Sequence, residues 1–308
     1  MNSQSVIKFF PAVIREIFSL SDKSLWEDTT EIRLKINFPV ILRGKNGEKY
    51  LYRNGKTGTD KEMAVICTAN DMEYIFCSVC DDSVHSYARE LKEGFITVSG
   101  GHRVGLCGTA VINEKGMKTI KNISSINFRI AHEIKGCSDL FFNLFSKEFP
   151  CGILIAGAPG SGKTTFLRDL CRNFSKEYRV SVIDERSEIA AVSMCVPQND
   201  IGEKCDVFDG YPRKEGINTA LRVMSPEIIV CDEIGSDDDI KAITNSANTG
   251  VSVIATVHAG NKEELYMRKN IMKLIGLDIF RLVVFLENGE RTGMIREVVH
   301  CKDKKYGI

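Results

Sequence analysis

The segment Gly157–Thr164 has the sequence GAPGSGKT, which fits the pattern G-x-x-x-x-G-K-[ST] of phosphate-binding loops. It directly follows a short apolar segment and directly precedes a helical one, which is the context that this motif requires. The glycines let backbone amides face the phosphates, the helix amino terminus adds its dipole, and Lys163, whose side chain we expect to face solvent, reaches the outer phosphates. We therefore predict a nucleotide-phosphate site formed by Gly157, Ala158, Pro159, Gly160, Ser161, Gly162, Lys163, Thr164 and Thr165.

Two acidic residues end an apolar segment that we predict to be another strand of the same sheet. The sequence PEIIVCDE brings Asp232 and Glu233 to the carboxyl edge of the sheet, where parallel sheets bind their ligands. We expect Thr164 and Asp232 to hold Mg²⁺, partly through water, and Glu233 to activate the water that attacks the terminal phosphoryl group. Apolar strands that end in acids are common, so this interpretation depends on the upstream phosphate motif.

Polar residues at other predicted strand ends are candidates for the same site. The strand VSVIATVH ends in Thr256 and His258, and we interpret His258 either as a sensor of the γ-phosphate or as a surface histidine. The segment VIDERSEIA brings Glu185 to the same edge, as a second candidate catalytic carboxylate. Arg222 precedes the acidic strand, and we expect it either to reach a phosphate in its own or a neighbouring subunit or to form a structural ion pair.

The elements around these residues predict an α/β fold with a mostly parallel sheet, because short apolar strands alternate with helical segments. An additional strand is expected between the phosphate-motif strand and the acidic strand, which is typical of the catalytic-glutamate branch of RecA-like P-loop ATPases. Since no N-K-x-D guanine signature follows, ATP is favoured over GTP. We place strands at 152–156, 180–184, 227–232 and 251–257, helices from Lys163, from Asp237 after a Ser236 cap and from Lys262 after an Asn261 cap, and a terminal hairpin at 282–287 and 294–300.

The first half of the chain has a different pattern and predicts a smaller α+β domain at 1–145, followed by the ATPase domain at 146–308. The total of 308 residues is about twice the ~150 residues of a single domain. Glu31–Leu42 alternates apolar and charged residues as a half-buried strand does. A helix is predicted from about Asp71 with Asn70 as its cap, and glycines then punctuate short strands.

Composition excludes several classes of protein. Lys and Arg together number 41, as do Asp and Glu, so the formal net charge is zero and we expect no nucleic-acid partner. The longest apolar stretches are far shorter than the ~20 residues of a membrane helix, and the amino terminus lacks the apolar run of a signal peptide. The sequence therefore predicts a cytoplasmic protein.

Several segments resemble the stage III sporulation protein AA ATPases of spore-forming bacteria, which are related to the type II and type IV secretion and pilus-motor ATPases. The resemblance rests on GFITVSGGHRVGLCGTAV, ISSINFRIAHEIKG, GAPGSGKTTFLRDL, VIDERSEIA and IATVHAGNKEEL. It implies a homo-oligomeric ATPase, a hexameric ring, that hydrolyses MgATP in the mother cell. It also implies docking on a membrane-anchored sporulation channel protein, so that the ATPase is peripheral to the membrane through its partner.

The same resemblance implies that Arg103 and Arg129 of the first domain close over the nucleotide. Local pairing with carboxylates such as Glu133 is the alternative for both arginines. The sequence departs from the family where Lys204 stands in place of an arginine, which leaves the role of that lysine open.

Two other functions remain open at this point. One is an ATP-regulated scaffold in which hydrolysis is incidental. The other is a nucleic-acid-translocating ATPase, which the zero net charge and the lack of an aromatic-basic stripe disfavour.

Overall fold

A computed structural model describes residues 3–114 and 116–301, except the side chains of Ser3, His85, Ser86, Arg89 and Asn113. The chain forms two compact units, Met1–His132 with Ser193–Gln198, and Glu133–Val192 with Asn199–Ile308. Within the described residues, no helix is both long and apolar enough to cross a membrane.

The first unit is built around an antiparallel sheet with the strand order β5-β4-β3-β1-β9-β8-β7, and a separate pair β2-β6. Short 3₁₀ helices lie at Ser3–Phe9 and Val84–Tyr87. The other elements are α1 (Ala12–Ser19), α2 (Lys23–Asp28), β1 (Thr29–Lys35), β2 (Phe38–Pro39), β3 (Ile41–Gly44), β4 (Gly47–Leu51), β5 (Thr57–Gly58), β6 (Ile66–Cys67), α3 (Ala69–Val79), α4 (Ala88–Glu93), β7 (Phe95–Val98), β8 (His102–Asn113) and β9 (Gly116–Arg129).

Strand β1 shows why this sheet has a buried and an exposed face. Ile32 and Leu34 are buried, whereas Arg33 is exposed, as the period of two along a strand requires. The prediction of one strand over Glu31–Leu42 is wrong, because Asn37 adopts a left-handed conformation (φ 64°) and the chain turns there into β2 and β3. The apolar face packs on Phe9 and Phe10, at the end of the first 3₁₀ helix and just after it, whose ring centroids lie 6.3 and 5.0 Å from that of Phe128 in β9.

Helix α3 begins two residues earlier than predicted. Its cap is Thr68, not Asn70: the Thr68 side chain accepts the Asp71 backbone N–H, and the Asp71 carboxylate accepts the Thr68 backbone N–H at 2.9 Å. This reciprocal pair satisfies two backbone donors that the first helical turn otherwise leaves unbonded.

The second unit contains a seven-stranded sheet with the order β14-β11-β15-β16-β10-β17-β18, in which β18 alone is antiparallel to its neighbour among the described strands. Short 3₁₀ helices lie at Ser146–Glu148 and Gly289–Arg291. The other elements after residue 132 are α5 (Asp139–Phe145), β10 (Ile153–Gly157), α6 (Lys163–Phe174), β11 (Val180–Asp184), β12 (Val192–Ser193), β13 (Val196–Pro197), β14 (Cys205–Asp209), α7 (Arg213–Val223), β15 (Ile228–Cys231), α8 (Asp237–Asn248), β16 (Ser252–His258), α9 (Lys262–Tyr266), α10 (Lys269–Gly276), β17 (Leu282–Leu286) and β18 (Ile295–His300).

The central strands of this sheet are buried on both faces. Along β10, Leu154 and Ala156 join the apolar cluster on one face, while Ile153 and Ile155 join the cluster on the other. Strand β16 lies between β10 and β15, so the predicted additional strand is confirmed. Three neighbouring strands therefore bring their carboxyl ends to the same edge of the sheet.

Sequence reasoning did not find β14, an edge strand in which polar residues alternate with partly buried ones. It also assigned residues 133–145 to the first domain, whereas these residues, with α5, belong to the second unit. The physical reason is packing: Phe141 of α5 is buried, and its ring centroid lies 5.9 Å from that of Phe166 in α6.

Asp169 of α6 fixes the chain before α5. Its carboxylate is 2% exposed and accepts hydrogen bonds from Gly136 N at 3.0 Å and from Ser138 N and Oγ, both at 2.8 Å. Arg172 also forms an ion pair with the Asp169 carboxylate, at 2.8 Å. Burial alone would raise the pKa of Asp169, but these hydrogen bonds hold it below its usual value.

We expect Asp169→Ala to lower the free energy of unfolding by about 3 kcal/mol at neutral pH, because it leaves the Gly136 and Ser138 donors unpaired and leaves Arg172 with Asp139 as its remaining carboxylate partner. The folded pKa is depressed, so the stabilisation is present above the unfolded pKa of ~3.9 and is lost as pH falls through the folded value. Urea unfolding of wild type and variant from pH 7 down to pH 3 should show the difference shrinking on acidification.

The matched control is Asp238→Ala, since 57% of the Asp238 side chain is exposed. This variant should lose less than about 0.5 kcal/mol. Equal losses in the two variants, or a difference that does not change with pH, would contradict the account of Asp169.

Candidate functional site

The loop between β10 and α6 has the backbone geometry of a phosphate cradle. Gly160 and Gly162 adopt φ values of 76° and 84°, in the left-handed region that favours glycine. A Cβ atom on Gly157 would lie 2.2 Å from the Ser161 Oγ, so a side chain there would force the Ser161 side chain to move. The Ser161 hydroxyl is itself buried and has no hydrogen-bond partner among the described residues. A phosphate oxygen would satisfy it, so the loop fits the predicted ligand.

Lys163 turns its side chain back over this loop. Its ammonium donates to Gly157 O at 3.0 Å and Ala158 O at 2.9 Å, and it lies 3.1 Å from His258 Nδ1. The residue is 6% exposed, so the expectation that its side chain faces solvent is wrong. Burial lowers the pKa of Lys163, and the two neighbouring carboxylates oppose that effect.

The Asp232 carboxylate connects three segments of the chain. Its Oδ2 accepts from Thr164 Oγ1 at 2.7 Å, at the start of α6. Its Oδ1 accepts from the Glu233 N–H at 3.0 Å and from the Thr256 hydroxyl of β16. Thr164 and Asp232 thus place a hydroxyl and a carboxylate side by side, which are the hard oxygen ligands that Mg²⁺ prefers.

Glu233 follows β15 with a left-handed backbone (φ 47°), which is uncommon for a residue with a side chain. One carboxylate oxygen is hydrogen-bonded to His258 Nε2, and the other accepts from Arg186 Nη1 at 3.0 Å. Burial alone would raise the pKa of Glu233, but the His258 hydrogen bond and the charges of Arg186 and Lys163 hold that pKa below its usual value. His258 therefore links the two groups predicted to act on the terminal phosphate.

Glu185 lies at the end of β11 and is bonded to a residue that sequence reasoning missed. Its Oε2 accepts from Arg213 Nη2 at 3.0 Å. Arg213 is the first residue of α7. The sequence carries no local signal for its partners, because they are distant along the chain.

Arg222 does not lie at this site. It is exposed in the last turn of α7, and Arg213, in the first turn, is the residue that reaches the carboxyl edge of the sheet. The eleven residues of this helix span roughly 16 Å, since each residue adds 1.5 Å. The helix then leads into the amino end of β15, so the expectation that Arg222 reaches a phosphate within its own chain is wrong.

Arg103 and Arg129 are neighbours on the sheet of the first unit. They lie opposite each other on β8 and β9, and Arg129 is also opposite Glu31 of β1. The Arg103 guanidinium lies over the Phe95 ring, 4.6 Å from its centroid. Their action on a nucleotide stays a prediction.

Lys204, whose role the sequence leaves open, contacts backbone carbonyls of the second unit. Its ammonium donates to the backbone carbonyls of Lys176 and Glu177, at 3.1 and 3.3 Å. These carbonyls belong to the turn that follows α6. Lys204 therefore fixes that turn.

Comparison with known proteins identifies the family. Residues 1–306 match the family described as sporulation stage III, protein AA. The chain belongs to this family. Stage III sporulation protein AA of Bacillus subtilis (strain 168) is 31% identical over 299 residues, which cover 95% of this chain and 94% of that protein.

Two solved structures share the fold of this family member. The pilus retraction motor PilT with bound ADP superposes with a TM-score of 0.60 at 14% identity, covering 94% of this chain and 80% of PilT. The ATPase DotB of Legionella pneumophila superposes with a TM-score of 0.54 at 17% identity, covering 89% of this chain and 74% of DotB. The predicted RecA-like P-loop ATPase fold is confirmed.

We expect Thr256→Val to lower the free energy of unfolding by about 1–2 kcal/mol, because it removes a buried hydroxyl that donates to Asp232 and accepts the Glu233 N–H at 2.8 Å. Chemical denaturation monitored by circular dichroism measures this loss. Thr109→Val, at an exposed position of β8, is the control and should change stability by less than about 0.5 kcal/mol. A Thr256 variant as stable as wild type would show that the Asp232 contacts do not hold the strand ends together.

Proposed function

We propose that this chain is an ATP-hydrolysing motor of the secretion-ATPase type, which energises a sporulation-associated channel between mother cell and forespore. The observation that carries the proposal is the convergence of Lys163, Thr164, Asp232 and Glu233 at one sheet edge. Family membership and the shared fold of PilT and DotB support it.

Nucleotide binding is assigned to the residues 157–165. The loop amides and the Ser161 hydroxyl bind phosphate oxygens, and the Lys163 ammonium exchanges its contacts with loop carbonyls for the outer phosphates. Mg²⁺, when bound, neutralises charge on the phosphate oxygens, and Thr164 and Asp232 are the residues that would hold it. The substrate is thereby oriented with its terminal phosphoryl group toward Glu233.

Hydrolysis requires a base for the attacking water, and Glu233 is assigned to this step. Its carboxylate is ionised at neutral pH and can accept a proton from water, and its hydrogen bonds to His258 and Arg186 hold it in place. The water oxygen forms the new bond to the γ-phosphorus, the bond from that phosphorus to the bridging oxygen breaks, and ADP and phosphate leave. His258 orients Glu233 through its Nε2 and contacts Lys163 through its Nδ1.

The proposal includes the arginines and the assembly that the family resemblance implies. Arg103 and Arg129 supply positive charge to the γ-phosphate, and this contact disappears after hydrolysis. Such a difference between nucleotide states is what any nucleotide-driven motion needs. The working form is a homo-oligomeric ring, a hexamer, docked in the mother cell on a membrane-anchored channel protein, and Arg222 is free to act on the site of a neighbouring subunit.

Lys163→Ala should abolish ATP binding, because the variant loses the cation that meets the outer phosphates. Since Lys163 is buried against loop carbonyls, we also expect a small loss of thermal stability. Circular dichroism measures the stability, and calorimetry measures nucleotide binding. The control is Lys204→Ala, which removes a cation at the end of α6 and should bind ATP normally. A folded Lys163 variant with wild-type turnover would overturn the ATPase assignment.

Glu233→Gln should bind MgATP but hydrolyse it at least ~100-fold more slowly, because the amide keeps the shape of the side chain and cannot accept the proton. Rapid-quench measurement of phosphate release separates this step from binding. Glu185→Gln is the matched variant and should retain most of the activity. The opposite ranking would identify Glu185 as the base and contradict the assignment of Glu233.

Arg103→Ala in the full chain should lower the hydrolysis rate by about 10–1,000-fold at saturating ATP, because charge stabilisation is lost in the transition state. Arg129→Ala should act in the same direction. Arg43→Ala, an exposed arginine on β3 of the same unit, is the control and should leave the rate unchanged. Full activity of both Arg103 and Arg129 variants would remove the first unit from the catalytic mechanism.

A further inference from the structure

Arg213 holds its guanidinium between two carboxylates that come from different segments. Its Nη1 donates to Asp239 Oδ2 at 2.9 Å, and its Nη2 donates to Glu185 Oε2 at 3.0 Å. Only 12% of the Arg213 side chain is exposed. A cation in the first turn of a helix lies at the positive end of the helix dipole, so both burial and the dipole oppose this position. The two carboxylates offset that cost.

The Asp239 carboxylate in turn fixes the loop that follows Glu233. Its Oδ2 also accepts the backbone N–H groups of Gly235 and Ser236, at 3.1 and 2.9 Å. The other end of this loop is held through the Glu233 N–H, as described above. The backbone that aims the Glu233 carboxylate is therefore fixed on both sides, and one side depends on Asp239, whose side chain is 6% exposed.

We propose that Arg213 is a positioning residue for ATP hydrolysis. By bridging Asp239 and Glu185, it fixes the loop that aims Glu233 and holds Glu185 at the end of β11. This inference rests on the proposed function, since it assigns Arg213 a part in that reaction. The residue acts through Asp239, so its loss misplaces the base without removing any group assigned to bind nucleotide. A displacement of about 1 Å in an active site can cost on the order of 100-fold in rate.

The test compares Arg213→Gln and Arg213→Lys with the control Lys214→Gln in the full chain. Lys214 is the next residue on α7, is 46% exposed, and contacts Asp238 at 3.5 Å. For each protein, the ATP dissociation constant is measured, followed by single-turnover hydrolysis with enzyme in excess over ATP and well above that constant. The wild-type rate is measured first, with Lys163→Ala as the blank.

Arg213→Gln should lower the single-turnover rate by about 100-fold while the ATP dissociation constant changes by less than about 3-fold. Arg213→Lys should lose roughly 10-fold, because an ammonium keeps the charge but cannot span both carboxylates as a planar fork does. Lys214→Gln should behave as wild type.

Several outcomes would overturn the inference and leave the proposed function intact. A wild-type rate in folded variants of lower melting temperature would make Arg213 purely structural, and so would failure of both variants to fold. Parallel loss of ATP binding would make it a binding residue, and equal loss in Lys214→Gln would make the effect one of surface charge. A wild-type chain without turnover above the Lys163→Ala blank would overturn the proposed function itself, and the inference with it.

Discussion

The carboxylate of Asp232 holds together the parts of the chain from which the candidate site is made. It accepts hydrogen bonds from Thr164 after the phosphate loop, from Thr256 on the inserted strand, and from the Glu233 backbone. These groups can meet because β10, β16 and β15 are parallel neighbours whose carboxyl ends lie at one edge of the sheet. The order of these three strands is thus the constraint on which the site chemistry depends. The rest of the second unit buries these strands and stabilises their order.

Contacts beyond Asp232 couple the phosphate site to the candidate base. Lys163 is bonded to loop carbonyls and to His258, and His258 is bonded to Glu233, which is also paired with Arg186. Under the proposed function, a triphosphate that attracts the Lys163 ammonium would change this set of contacts and, through His258, those of Glu233. Such a dependence gives the two nucleotide states different interactions, which a motor needs to convert hydrolysis into movement.

The sequence predicts most of the site residues but fewer of the contacts that hold them in place, and the reasons are physical. The phosphate loop, the acidic strand end and the Ser236 capping box are local patterns, in which residue type and spacing along the chain decide the structure. The break in the strand after Lys35 comes from the left-handed backbone of Asn37, and the pattern of alternation does not contain that information. Arg213 has no such local pattern, because its partners come from other segments, and only the folded sheet brings them within hydrogen-bonding distance.

The central claim is that ATP bound at this site is cleaved there, and single-turnover hydrolysis with enzyme in excess over labelled ATP tests it most directly. Enzyme in excess over ATP and well above the dissociation constant binds nearly all of the ATP, so the measurement reports the chemical step apart from product release. The account predicts a single exponential conversion of the bound ATP to ADP and phosphate in the presence of Mg²⁺. Recovery of intact ATP from the bound complex after prolonged incubation would contradict it, and would leave the chain a nucleotide-binding protein without hydrolysis.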